Sequence, residues 1–206
     1  MIATIFKKPV TPLSLHLDGR DSEFDVIYPR SVRKVAALHF TSLSVAKRAA
    51  SFLVAEPGAR VLDIGSGGGK FCLIGAASTK GHFTGVEQRK DLVALSVKLA
   101  SEYRLANARF VEGNVMAIDF KAFNAFYLFN PFYENLRDGK RIDNSILLNP
   151  SLYDSYSSYT KSKIAGLPTG TRLATYFTSP SIIPEGYEKV DSLEDNKLAF
   201  WIKRED

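Results

Sequence analysis

Residues 61–70 read Val61-Leu62-Asp63-Ile64-Gly65-Ser66-Gly67-Gly68-Gly69-Lys70. The run Arg60–Ile64 is short and mostly apolar, as expected for a strand covered on both faces. Four of the next five residues are glycines, which let a chain turn sharply and let a ligand approach the backbone. Lys70–Ser78 then reads as a helix. Its first N–H groups lack intrahelical partners and lie at the positive end of the helix dipole. Such a junction also serves as a tight turn without a ligand, so a second signal is needed.

That signal is Glu87, at the end of the next expected strand, His82–Val86, and 18 positions after Gly69. An acid about twenty residues beyond the glycines, at the end of the neighbouring strand, suits two ribose hydroxyls. Working outward, Lys90–Tyr103 reads as a helix with Leu92, Leu95, Leu99 and Tyr103 on one face. Ala108–Val111 and Ala125–Phe129 read as further strands. The alternation predicts a parallel, doubly wound sheet. A helix over 151–164, a strand over 171–177, and a hairpin of 187–193 with 197–203 turning at Glu194-Asp195-Asn196 complete the chain. The expected class is α/β, with a doubly wound, mostly parallel seven-stranded Rossmann-like sheet and a C-terminal antiparallel hairpin. Upstream, residues 1–29 contain Pro9, Pro12 and Pro29 and read as an irregular arm with one short strand near Phe24–Tyr28. Two helices follow, carrying Val32, Val35, Ala36 and Phe40, then Leu43, Ala46, Ala50 and Leu53, with Thr41 or Ser42 as the cap between them. The division is an N-terminal arm and helical extension over 1–57 and a core over 58–206.

The glycine spacing is D-x-G-x-G-x-G from Asp63, not the dinucleotide pattern G-x-G-x-x-G: Lys70 or Cys72 stands where a third glycine would be required. It resembles motif I of the class I S-adenosylmethionine (SAM) methyltransferases, over about residues 58–135. The resemblance implies SAM as cofactor and S-adenosylhomocysteine (SAH) as product. It implies that Gly65, Ser66, Gly67 and Gly69 pack against the methionine part and ribose, and that Asp63 anchors the loop and the amino group. Glu87 would take the ribose hydroxyls and Gln88 would lie beside the adenine. Gly113-Asn114-Val115 matches the adenine-contacting turn of the family, with Asn114 where many members have Asp.

The fourth strand ends in Asn130-Pro131-Phe132-Tyr133. This is similar to the N-P-P-Y motif of amino-group methyltransferases, with Phe132 in place of the second proline. The resemblance implies that the Asn130 side chain and the following carbonyl accept hydrogen bonds from the substrate nitrogen, while Tyr133 packs on a planar group. Asn130-Pro131 also makes a plain strand-ending turn. The expected activity is methyl transfer to a nitrogen, with a protein side chain slightly ahead of adenine N6 in nucleic acid or a small molecule. A non-catalytic SAM-binding regulator is the alternative of another class; a nicotinamide-dependent oxidoreductase is disfavoured by the glycine spacing.

Other residues read as mainly structural. Thr41 either meets the SAM carboxylate or caps a helix. His39 reads as a partly buried structural histidine, Cys72 as a small core residue, and Tyr153, Tyr156 and Tyr159 as a half-buried helix face. The segment Glu134–Asn149, with Arg137, Lys140 and Arg141, is expected to border the acceptor site.

Composition narrows the field further. Of 206 residues, 45% are hydrophobic and 24% charged, which excludes disorder over most of the chain. One cysteine excludes a disulfide framework, and three separated histidines make a histidine-rich metal site unexpected, so no metal is assigned. No apolar run approaches a membrane span. Charge follows the apolar residues at the start, the reverse of an export leader, so a cytoplasmic location is expected. The net charge of +5 is modest for a nucleic-acid binder. Residues 1–60 hold nine Lys/Arg against five Asp/Glu, and so carry most of the excess.

Overall fold

A computed structural model describes residues 15–136 and 141–204. The arm before residue 15, and Arg137 and Lys140, lie outside the described residues.

Among the described residues the strands are β1 (Arg60–Ile64), β2 (His82–Glu87), β3 (Ala108–Glu112), β4 (Ala125–Phe129), β5 (Arg172–Tyr176), β6 (Tyr187–Leu193) and β7 (Leu198–Lys203). They form one sheet in the order β3-β2-β1-β4-β5-β7-β6. The first five are parallel, and β7 pairs antiparallel with both β5 and β6. The expected class is the observed one.

Period-2 alternation decides which side chain meets which layer. On β1 and β4, Val61, Ala125 and Tyr127 join one apolar cluster, and Leu62, Ile64, Phe126 and Leu128 join the opposite one. The first layer is built by α3 (Leu43–Leu53) and α4 (Lys70–Ser78), with α5 (Lys90–Glu102) contributing Leu99 and Ala100. The second is covered by α6 (Pro150–Ala165) and the turn at Val115–Ala117. Both faces are buried, which explains why these strands read as continuous apolar runs rather than alternating ones.

One expected element is corrected. Phe24–Tyr28 is not a strand: α1 (Asp21–Phe24) runs into a 3-10 turn, Asp25–Ile27. The Glu23 carboxylate accepts the Arg20 backbone N–H at 2.7 Å, which starts the helical turn. Phe24 and Tyr28, four apart, are both fully buried, which is helical rather than strand spacing. After α2 (Arg30–His39), Ser42 takes the cap position of α3.

The N-terminal elements clamp the glycine turn. Tyr28 Oη donates to the Gly68 carbonyl at 3.1 Å. A Cβ on Gly68 would stand 2.8 Å from the Phe40 ring. Lys70, buried at the start of α4, pairs with Asp21 at 2.5 Å and Asp25 at 2.7 Å. These contacts hold residues 21–53 and the sheet in one apolar cluster.

Candidate functional site

The sheet order reverses between β1 and β4, and in open α/β sheets ligands bind beyond the strand ends at such a point. A cavity of about 850 Å³ lies there. It meets the ends of all five parallel strands: Ile64–Gly65, Val86–Gln88, Gly113, Phe129–Asn130 and Tyr176–Phe177.

One half is built on glycines. Gly65, Gly67 and Gly69 have φ of 78°, 52° and 77°. L side chains rarely adopt this left-handed region. A Cβ on Gly65 would meet nothing within 4 Å, so the backbone there faces open cavity. Glu87 is buried beside this turn. Its Oε2 accepts the Gly67 N–H at 3.1 Å, and its Oε1 accepts the Arg89 N–H at 2.9 Å. The carboxylate is thereby fixed in orientation. Asp63 lies behind the turn, fully enclosed. Burial pushes its carboxyl up to about 7, against the hydrogen bond that Cys72 Sγ donates at 3.5 Å, and Glu87 raises it further. Cys72 is a core residue as expected, its thiol pushed up by burial and by Asp63.

The other half is built on strained side-chain-bearing residues. Asn130, Phe132 and Phe177 have φ of 37°, 70° and 51°, and all three line the cavity. For a bulky residue such a φ is an outlier that its surroundings must over-determine. Here the Asn130 N–H is shared between the Tyr176 carbonyl at 2.9 Å and Thr178 Oγ1 at 3.0 Å. The Phe132 carbonyl accepts both the backbone N–H of Asn135 at 3.0 Å and its side-chain amide at 2.8 Å. Aromatic rings surround this turn: Phe129 lies 4.9 Å from Tyr176 and 6.2 Å from Phe177, and Phe132 lies 5.3 Å from Tyr156.

The cavity brings together Asn130, Pro131, Phe132 and Tyr133 with Gly65, Gly67, Glu87, Gln88 and Val115. Five other expected residues stand behind its wall. Asp63 and Gly69 shape the turn, and the buried Ser66 packs under Gly85. Asn114 uses its side-chain oxygen to cap Met116 N at 2.9 Å and its amide to reach Tyr156 Oη at 2.7 Å. Thr41 is hydrogen-bonded to Tyr127 Oη at 2.9 Å in the core. His39 does reach the cavity; burial lowers its pKa, Glu134 opposes that and Arg89 adds to it. Of the α6 tyrosines Tyr153 lines the cavity, while Tyr156 and Tyr159 bond to Asn114 and to the Met116 carbonyl. Ile142, Ile146 and Leu148 bring the segment after residue 140 to the cavity edge, as expected for 134–149.

Sequence reasoning missed Arg89, Tyr176, Phe177 and Thr178. Arg89 is two residues past a strand end and looks like any solvated cation, yet it is 3% exposed and meets Glu87, Glu134 and Asp143. Tyr176 ends β5 and Phe177 and Thr178 follow it, and the sequence marked this stretch only as a strand after the turn at Pro168-Thr169-Gly170.

Comparison with known proteins agrees with this architecture. Residues 55–140, from the turn before β1 past the end of β4, match the family model described as a methyltransferase domain. No curated protein matches the chain. Among solved structures, TrmN from Thermus thermophilus is similar at 18% identity and a TM-score of 0.59, over 84% of this chain and 51% of that one. An RNA methyltransferase from Salinibacter ruber in complex with SAH is similar at 20% identity and a TM-score of 0.50, over 87% and 94%. The [4+2]-cyclase SpnF is similar at 20% identity and a TM-score of 0.50, over 64% and 43%. The chain thus spans about half the length of TrmN and less than half of the cyclase. The fold is the Rossmann-like methyltransferase fold, and residues 55–140 carry the match to that domain class. At such identities the likeness concerns fold alone, and a cyclase is among its holders, so the reaction has to be argued from the site.

Proposed function

We propose that this chain is a SAM-dependent methyltransferase whose acceptor atom is a nitrogen on a protein side chain. The observation that carries the reading is that one cavity joins the glycine turn and Glu87 to Asn130–Tyr133. The match of residues 55–140 to a methyltransferase domain supports it.

The residues present fit the cofactor. Gly65 leaves open space where a nucleoside and its chain would lie. Glu87, held by two backbone N–H groups, presents its remaining lone pairs to ribose hydroxyls. About 850 Å³ suits a nucleoside-sized ligand with an acceptor group beside it. When bound, SAM supplies an electrophilic methyl group on sulfur. The protein's contribution is then proximity and alignment. The Asn130 side-chain oxygen accepts an N–H of the acceptor and turns the nitrogen lone pair toward the methyl position. The shared Asn130 N–H and the Asn135 contacts hold the backbone from which that side chain projects. With SAM bound, the N–CH3 bond would form as the S–CH3 bond breaks, SAH would be left as the thioether product, and the nitrogen's proton would go to solvent.

A planar amino group, such as adenine N6, is the second reading. The aromatic rings of Phe129, Tyr133, Tyr153, Tyr176 and Phe177 around the cavity favour it.

The test is Asn130→Ala, assayed with labelled SAM and desalted extract fractionated into protein, nucleic acid and small molecules. Turnover should fall about 100-fold or more, because alignment at the reacting atom is lost. SAH affinity should stay within about threefold of wild type, as expected when only a transition-state contact is removed. Undiminished turnover would remove Asn130 from the reaction. Label in the nucleic-acid fraction alone would replace the protein acceptor with the planar one.

A further inference from the structure

Arg89 is the cation around which the two halves of the cavity meet. Its guanidinium gives each nitrogen to a different element. Nη1 lies 3.5 Å from Glu87 Oε1, at the end of β2. Nη2 lies 3.0 Å from Glu134 Oε2, in the turn that continues Asn130–Tyr133. Nε donates to Asp143 Oδ1 at 3.0 Å, in the segment 141–149. That segment is tied a second time, because Ile142 N–H donates to Glu134 Oε1 at 2.7 Å.

We propose that Arg89 is a positioning residue that couples ligand binding against Glu87 to the placement of Glu134 and of residues 141–149 on the acceptor side. The inference rests on the cofactor reading above. The physical basis is a shared carboxylate. Glu87 Oε1 accepts the Arg89 backbone N–H and also faces its guanidinium, so whatever fixes Glu87 fixes Arg89. Three carboxylates on one buried cation leave an excess of negative charge, and each pair depends on the guanidinium keeping its place. The fork of Arg89 bonds in three directions at once, which a lysine ammonium on a flexible stem does not reproduce in the same geometry. Ile142, Ile146 and Leu148, on either side of Asp143, reach the cavity edge, so the tie reaches groups an acceptor would touch.

Coupling between sites is reciprocal: if ligand at Glu87 favours the placed segment, cutting the tie at the segment weakens the ligand by the same factor. Asp143 does not line the cavity, so its removal deletes no ligand contact. The experiment pairs SAH calorimetry with hydrogen exchange of the amides over 142–148, on wild type, Asp143→Ala and Arg89→Lys. In wild type, SAH should slow exchange over 142–148. Both variants should bind SAH at least threefold more weakly and lose that slowing. A merely structural role would lower the melting temperature, with SAH affinity within threefold and the slowing retained; that result overturns the proposal. Wild type that binds SAH without slowing 142–148 overturns it as well. Wild type that does not bind SAH at all overturns the cofactor reading first, and the coupling with it.

Discussion

The two halves of the cavity solve the same backbone problem with different residues. Around β1 and β2 the chain enters the left-handed region at Gly65, Gly67 and Gly69. Around β4 and β5 it does so at Asn130, Phe132 and Phe177. In the first half the missing side chains leave room: Gly65 opens on the cavity, while Gly67 and Gly69 let the Phe40 and Phe110 rings close on the turn. In the second the side chain is wanted, and the strain of presenting it is borne by the hydrogen bonds of Thr178, Tyr176 and Asn135. Glycine permits a conformation; the half built on Asn130 and Phe132 has to enforce one.

Substitutions on either side test that contrast. The largest expected effect is at Asp63, behind the glycine turn. Its carboxyl is held at about 7 by burial. The unfolded chain loses this proton near the ordinary carboxylate value and the folded chain keeps it longer. Stability from this group is therefore full below about pH 4 and is lost as pH rises toward 7, by up to about 4 kcal/mol. Asp63→Asn cannot titrate, so its melting temperature should gain on wild type steadily from pH 4 to pH 8. Parallel melting curves over that range would show that Asp63 is not buried as described.

Next comes Gly69→Ala. The φ of 77° costs about 1–2 kcal/mol for an L residue. The new Cβ would also stand 2.6 Å from the Phe110 ring. A loss of about 2–3 kcal/mol in urea unfolding is expected, with overpacking adding to the backbone term. Asn130→Ala should behave in the opposite way, costing turnover with little stability. If the two variants traded effects, the division into a permitted half and an enforced half would fail.

The same division explains what could be read from sequence. Glycines at Gly65–Gly69 and an acid at Glu87 are local signals that gain meaning from their mutual spacing, and the alternation of apolar runs with helical spacing marked the sheet. The N-P-F-Y stretch could be located, but not its strain, because the Asn130 backbone is held by Tyr176 and Thr178, more than 40 positions away. Arg89 was illegible for a related reason: three carboxylates from β2, the 134 turn and residue 143 meet it only after folding. Local propensity likewise misled at Phe24–Tyr28, where burial of residues four apart against α4 and the glycine turn selected a helix over a strand.

SAM binding in the cavity between β1 and β4 underlies the proposed reaction. Calorimetric titration of the full chain with SAM, SAH and NAD tests it directly. Saturable one-to-one binding of SAM and SAH, with none of NAD, is the predicted result. A matching rise in melting temperature with ligand concentration should accompany it. Absence of SAM and SAH binding, or binding of NAD in their place, would contradict the account.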